Sequence, residues 1–230
     1  MEHLTQEQQQ RASGLKEIYL EHLLEARRRT ACAAVLQEVE AGFPISAAYL
    51  RVIQPAMYTV GSMWQNNEID ITTEHYCTAA TQLLMAQLFP YALVQPRNGL
   101  SMIGCCLGSE LHEMGMRMVC DFFEFSGWDT YFTGAVTPGD DIVRAIASRE
   151  PDLVCLSATM FTGMPQVRDV VHALRQRMKD RAPKVMAGGL AFMVNPNLWR
   201  VVGADGTARN APQAVATAGA LLGIGKTAHA

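Results

Sequence analysis

Beyond Leu100 short continuous apolar runs alternate with longer stretches of helical period, and this alternation limits the fold more than any other feature. Leu100 to Leu107, Trp128 to Thr133, Leu153 to Ser157 and Lys184 to Ala187 read as strands. Glu113 to Ser126, Asp140 to Arg149, Gln166 to Arg181 and Ala211 to Leu222 read as helices. A run without polar alternation suits a strand covered on both faces. Strands separated by helices of this length pair in parallel, so the second part of the chain is expected to be α/β.

The first part has no such runs. Leu15, Ile18, Tyr19, Leu23 and Ala26 share one helical stripe, which continues through Ala31, Val35, Leu36 and Val39 to a stop at Gly42. Residues 1 to about 12, polar and Gln-rich, read as a frayed helix start or a tail. A further helix starts near Ser46 and carries Leu50, Ile53, Met57, Val60 and Trp64, with Pro55 expected to kink or restart it. Asp70 reads as the N-cap of another helix, with Glu74 in its first turn and an end near Phe89. These segments predict a four-helix bundle over residues 1–92. Pro90 to Gly99 has the composition of a linker, and residues 99–230 form the second domain.

A formal charge of -3 provides no field that would draw the molecule to nucleic acid, and the short basic run Arg27-Arg28-Arg29 reads as a solvated face or a subunit contact. No direct nucleic-acid partner is expected. No apolar run is long enough for a bilayer and no signal core is visible, so a cytoplasmic protein without a membrane partner is expected. Cys32, Cys77, Cys105, Cys106, Cys120 and Cys155 lie in apolar stretches without paired C-x-x-C spacing, and read as reduced core residues.

In parallel sheets ligands gather beyond the carboxyl ends of strands. The loop after the first strand reads Gly108-Ser109-Glu110-Leu111-His112-Glu113-Met114-Gly115. The loop after the third contains Ser157-Ala158-Thr159, and the loop after the fourth contains Gly188-Gly189. Singly these are ordinary: hydroxyls cap turns, glycines make them, and one histidine in a loop means little.

Their order and spacing, however, resemble the cobalamin-binding domains of Rossmann-like, or flavodoxin-like, fold, whose pattern is Asp-x-His-x-x-Gly, then Ser-x-Leu or Ser-x-Thr, then Gly-Gly. Glu110, His112 and Gly115, then Ser157 and Thr159, then Gly188 and Gly189 occupy those places. The resemblance implies a cobalamin with His112 as the lower ligand to cobalt and Glu110, where the family has Asp, as the carboxylate behind it. A carboxylate on the far ring nitrogen fixes the tautomer and makes the imidazole more basic. Ser157 and Thr159 would meet the displaced nucleotide tail, the glycines would let that tail approach the backbone, and Leu111, Glu113 and Met114 would line the same loop. The methionines Met114, Met116, Met118, Met160 and Met164 read mainly as core. Asp205 and Asn210 are placed near the tail.

In the helical part, Trp64 followed after nine residues by Glu74-His75 resembles the signature of CarH-type cobalamin photoreceptors. Trp64 also suits a core anchor and Glu74 a helix-dipole partner. The resemblance implies that Trp64, Glu74 and His75 bound the upper axial group, with adenosylcobalamin as the expected form and a noncovalent bilin compatible with it. Two departures stand out: the position after the Trp is Gln65 where the DNA-binding relatives have His, and the bundle begins near residue 15 with no helix-turn-helix ahead of it. The expectation drawn from this is a light sensor, not an enzyme, triggered by photolysis of the cobalt-carbon bond and acting through a signalling partner or a homo-oligomer. The alternative is the corrinoid carrier of a methyltransferase system.

Overall fold

The structure, a computed structural model, describes residues 4–92, 95–109, 111–195 and 197–224. It divides into two compact units, Met1–Leu93 and Val94–Ala230.

The first unit is helical. Helix α1 spans Gln6–Leu24 and α2 spans Arg28–Glu40. A helical turn at Ile45–Ala47 leads through a π-helical turn, Ala48–Ile53, into α3, Gln54–Gln65, and α4 spans Ile71–Ala92. From Gln6 the Gln-rich start belongs to α1, the helix start of the two readings the sequence allows. Thr5 Oγ1 accepts the Gln8 N–H (3.2 Å) while Gln8 Oε1 accepts the Thr5 N–H (3.0 Å), a reciprocal cap that satisfies two otherwise unpaired donors. Pro55 has no N–H for the carbonyl one turn back, and its ring would press on that group. The widened turn before it answers the problem, with the Gln54 N–H reaching back to the Tyr49 carbonyl.

The bundle core is apolar except at one place. Tyr19, Leu23, Val35, Tyr49, Val52, Ile53, Val60, Leu84 and Leu88 are fully buried, and Thr81 is the buried polar residue among them. The Tyr19 hydroxyl hydrogen-bonds Thr81 Oγ1 (2.8 Å), which also reaches the Cys77 carbonyl (2.8 Å). Burial pushes the Tyr19 phenol well above its ordinary value, so it stays neutral. The last helix runs through Pro90 to Ala92, further than its sequence signals indicate.

The second unit is a parallel sheet of β1 (Ser101–Cys106), β2 (Asp129–Phe132), β3 (Leu153–Ser157) and β4 (Lys184–Gly188), ordered β2-β1-β3-β4. The connecting helices are α5 (Met114–Phe125), α6 (Gly139–Arg149) and α7 (Met164–Met178). Short helices α8 (Leu190–Val194) and α9 (Leu198–Val201), which sequence periodicity does not announce, precede α10 (Ala211–Leu221). The strand order is that of a flavodoxin-like sheet, with the fifth strand reduced to a single bridge between Met186 and Gly206.

Two cores flank this sheet. Ile103, Cys105, Val154, Leu156 and Val185 pack with Ile142, Ile146, Val167, Val171 and Leu174 from α6 and α7. Met102, Cys106, Cys155 and Met186 pack with Met116, Cys120 and Phe123 of α5 and with Ala214 and Ala218 of α10. The segment expected as a linker is fastened to this unit at its end: the Asn98 N–H donates to the Gly127 carbonyl (2.8 Å), and Arg97 pairs with Glu124 (2.6 Å). All six cysteines are buried and none is in a disulfide, and burial pushes the Cys105 thiol up to about 12. Among the described residues no helix is long and apolar enough to cross a membrane.

Asp70 caps α4 as expected, its Oδ1 accepting the Thr73 N–H (2.7 Å) and the Thr72 hydroxyl (2.8 Å). These bonds, the Thr73 amide first, hold its carboxyl below the ordinary value of 3.8. A depressed folded-state pKa gives stability that is present above the ordinary value and lost as pH falls through the depressed one. Asp70→Ala should therefore melt at a lower temperature than the parent at pH 7, with the gap closing as the pH of the melt is lowered past 3.8.

Candidate functional site

Register sets the site. Cys106 lies opposite Ser157, and Ser157 opposite Gly188, so β1, β3 and β4 leave the sheet at one level. The three loops singled out in the sequence consequently emerge side by side, at the crevice where strand order reverses between β1 and β3.

The first loop starts under tight control. The Leu107 N–H donates to the Ser157 carbonyl (2.8 Å). Gly108 then turns with φ +112°, a backbone region open to glycine, and its N–H donates to Gln166 Oε1 on α7 (2.8 Å). Leu111 and His112 are exposed. Glu113 closes the loop, its N–H returning to the Leu111 carbonyl (2.8 Å) and its carboxylate pairing with Arg117 (3.2 Å). Met114 is half-buried at the start of α5, and Gly115 is exposed with open space where a Cβ would stand. Glu110 lies outside the described residues.

Beside it, Ser157 and Thr159 are half-buried around a buried Ala158. The Ala158 N–H donates to the Gly188 carbonyl (3.0 Å), tying the second loop to the third. The two glycines of the third loop differ. Gly189 has φ +97°, and a Cβ there would stand 2.4 Å from the Ala158 carbonyl oxygen. A Cβ on Gly188 would meet nothing nearer than the Ala208 carbonyl oxygen at 3.9 Å, so that backbone faces open space.

Sequence reasoning overlooked an apolar rim. Leu111 (72% exposed), Val136, Met160, Phe161 (55%), Leu190 (53%), Met193 and Val194 are exposed in the loops and short helices that follow a strand's carboxyl end. Exposed apolar side chains at the end of the sheet from which the candidate loops emerge suit a ligand of matching character. Their only sequence signal was large apolar residues where turn residues are usual. A cavity of about 200 Å³ lined by Ser101, Asp129, Thr130, Tyr131 and Arg149 lies at the amino ends of β1 and β2, away from these loops.

Trp64, Glu74 and His75 belong to the helical unit. The last turn of α3 and the first of α4 carry them, at one end of the bundle. Trp64 is 38% exposed and not a core anchor. His75 Nε2 lies 3.7 Å from one Glu74 oxygen, and the Thr78 hydroxyl donates to the other (2.8 Å). Asp205 and Asn210 have structural tasks: Asp205 accepts from Arg175 (2.6 Å) and from the Val185 N–H (2.7 Å), and Asn210 caps α10 through the Gln213 N–H (2.9 Å). Met116 and Met118 are core, whereas Met160 is exposed.

A family model described as the B12 binding domain matches residues 100–216, and a second model of that description matches residues 15–89. The chain belongs to the B12-binding domain family. Residues of this B12-binding unit suit the group: an exposed imidazole, half-buried hydroxyls, a glycine whose Cβ position is open, and an apolar rim for a large macrocycle. Neutral imidazole is a good transition-metal ligand.

Among curated proteins, the chain is similar to the HTH-type transcriptional repressor CarH of Myxococcus xanthus, 28% identical over 68% of this chain and 52% of the repressor. It is also similar to dimethylamine corrinoid protein 1 of Methanosarcina acetivorans, 25% identical over 85% of this chain and 92% of that protein. Among solved structures, the monomethylamine corrinoid protein of Methanosarcina barkeri shares the fold, with a TM-score of 0.78 at 20% identity over 92% of this chain and 98% of that one. The chain thus spans about half the length of the CarH repressor and nearly all of a corrinoid protein.

That contrast overturns the light-sensor expectation. The features that suggested it, Trp64 and Glu74-His75, lie within a helical region that a general B12-binding model covers. A match to that region is not specific to sensors, and Gln65 stands where the resemblance places the histidine of a DNA-binding sensor.

The glycine pair allows a clean separation of stability from binding. Gly189→Ala should destabilise the fold by at least about 1–3 kcal/mol from backbone strain alone. Gly188→Ala should melt like the parent yet bind cobalamin more weakly; calorimetric melts and cobalamin titrations of both variants check this.

Proposed function

We propose that this chain is a corrinoid carrier protein that holds a cobalamin and presents it to methyltransferase partners. The observation that carries the reading is end-to-end similarity to a corrinoid protein, 92% of whose length the chain covers. The site's construction supports it, since its described residues are suited to holding a macrocycle. The chain is a carrier and not itself an enzyme.

A corrin bound here supplies a cobalt centre able to take up and give up a methyl group. The chain's own residues hold and tune it. His112 would ligate the cobalt in this reading, and Glu110 would be the carboxylate partner of its other ring nitrogen. Such a carboxylate would keep that nitrogen protonated and so set the tautomer in which the first can ligate. Ser157 and Thr159 would donate to the polar tail, Gly188 and Gly115 would leave it room, and Leu111, Met160, Phe161 and Leu190 would exclude water from the ring's edge. In the helical unit, Trp64, Glu74 and His75 would face the cofactor. The partner is a methyltransferase of the cytoplasm, and the adenosyl group, the bilin and the signalling partner of the light-sensor expectation are not needed.

His112→Ala is expected to weaken cobalamin binding at least about tenfold, the usual scale for perturbing a metal ligand's environment, and to remove the absorption shift that marks histidine coordination. A spectrophotometric titration of the purified chain with hydroxocobalamin measures both. A parent chain that takes up no corrinoid, or one that binds it but never exchanges a methyl group with any corrinoid-dependent methyltransferase, defeats the reading.

A further inference from the structure

We propose that Gln166, outside the cobalamin motif, is the positioning residue for the His112 loop. The inference rests on the ligand role given to His112 above.

The loop from Gly108 to Glu113 has to hold an exposed imidazole in one place, although exposed loops are free to move. Its far end is fixed by the Glu113 N–H on the Leu111 carbonyl and by the Glu113–Arg117 pair. Its near end leaves the sheet at Leu107, where the last strand-type bond is made to Ser157. The next amide, that of Gly108, is directed by φ +112° to a side chain, Gln166 Oε1 at 2.8 Å. Gln166 is half-buried in the first turn of α7, whose neighbouring Val167 and Val170 are buried against the sheet, so the acceptor stands on a rigid element. One uncharged acceptor thereby joins the start of the ligand loop to α7, on the opposite side of the sheet from α5.

An acceptor at this point selects one of the conformations open to Gly108, and the direction in which the chain leaves β1 towards Ser109 follows from that. Gln166 touches no ligand atom in this account; it acts through the loop.

The test uses the full chain labelled with ¹⁵N-histidine and loaded with hydroxocobalamin, then reduced to the cobalt(II) form. Coordination by a ¹⁵N nucleus gives a doublet splitting in the electron paramagnetic resonance spectrum, whereas the cofactor's own unlabelled base gives a triplet. Gln166→Leu, which keeps helix propensity and loses the acceptor, should bind hydroxocobalamin about fivefold more weakly, the scale of one ordinary hydrogen bond. It should also lose part of the doublet and show faster exchange of the Gly108 amide. Gln166→Glu, which keeps an oxygen at that place, should restore all three. A Gln166→Leu chain with the parent's affinity, doublet and amide protection overturns the inference, as does a Gln166→Glu chain that behaves like Gln166→Leu. Should Gln166→Leu not fold, Gln166→Met replaces it under the same criteria. A parent chain without the doublet overturns instead the role given to His112.

Discussion

Three parallel strands ending at one level, Cys106 beside Ser157 beside Gly188, impose the geometry on which the rest of the second unit depends. A parallel ladder repeats its hydrogen bonds evenly, so a slip of one residue would turn every side chain of a strand to the opposite face. Here both faces are buried, and a slip would drive Ile103 or Val154 into the wrong core. The two cores thereby fix the register, and the register fixes where the loops emerge. The site's construction is accordingly decided by packing some distance from any ligand.

The close approach of α5 to β1 shows how tightly that packing is set. Gly104 in the middle of β1 faces Cys120, and a Cβ there would stand 2.7 Å from the sulfur. Phe123 meets Trp128 edge to face at 5.0 Å, closing the turn into β2. The β2 edge is then defended: the Thr130 N–H, which would otherwise offer a donor to another chain, is taken by the Glu124 carboxylate (3.0 Å). Since α5 follows the His112 loop directly, its seating at Gly104 also limits where that loop can end.

Most of this was legible beforehand because each part has a local cause. The strands at Leu153–Ser157 and Lys184–Gly188 are apolar runs, and the Asp70 cap is a single side chain on its own helix. The reciprocal cap of Thr5 and Gln8 is equally local, and it decides for the helix start between the two readings that the polar run allows. The π turn before Pro55 and the short helices α8 and α9 were not legible, since both follow from how the chain must bend around its neighbours. In the site, the motif residues revealed the loops, whereas the apolar rim and Gln166 did not show. Exposure of Phe161 or Leu190 is a property of the folded surface, and Gln166 is separated in sequence from Gly108 by two strands and two helices.

The misreading of function has a physical origin of the same kind. A sensor and a carrier that hold the same cofactor face the same demands on their binding residues: an imidazole below the metal, hydroxyls and glycines along the tail, and an apolar surround for the ring. Residues selected by those demands cannot distinguish the two uses, and Trp64 with Glu74-His75 lies in a region matched by a general B12-binding model. What distinguishes them must be sought where the demands differ. A sensor needs a group that stabilises its altered state, and Gln65, unable to supply an imidazole, stands where the sensor signature places one. A carrier needs only to hold the cofactor and to meet its partners, which a helical unit and a flavodoxin-like unit with an apolar rim suffice to do.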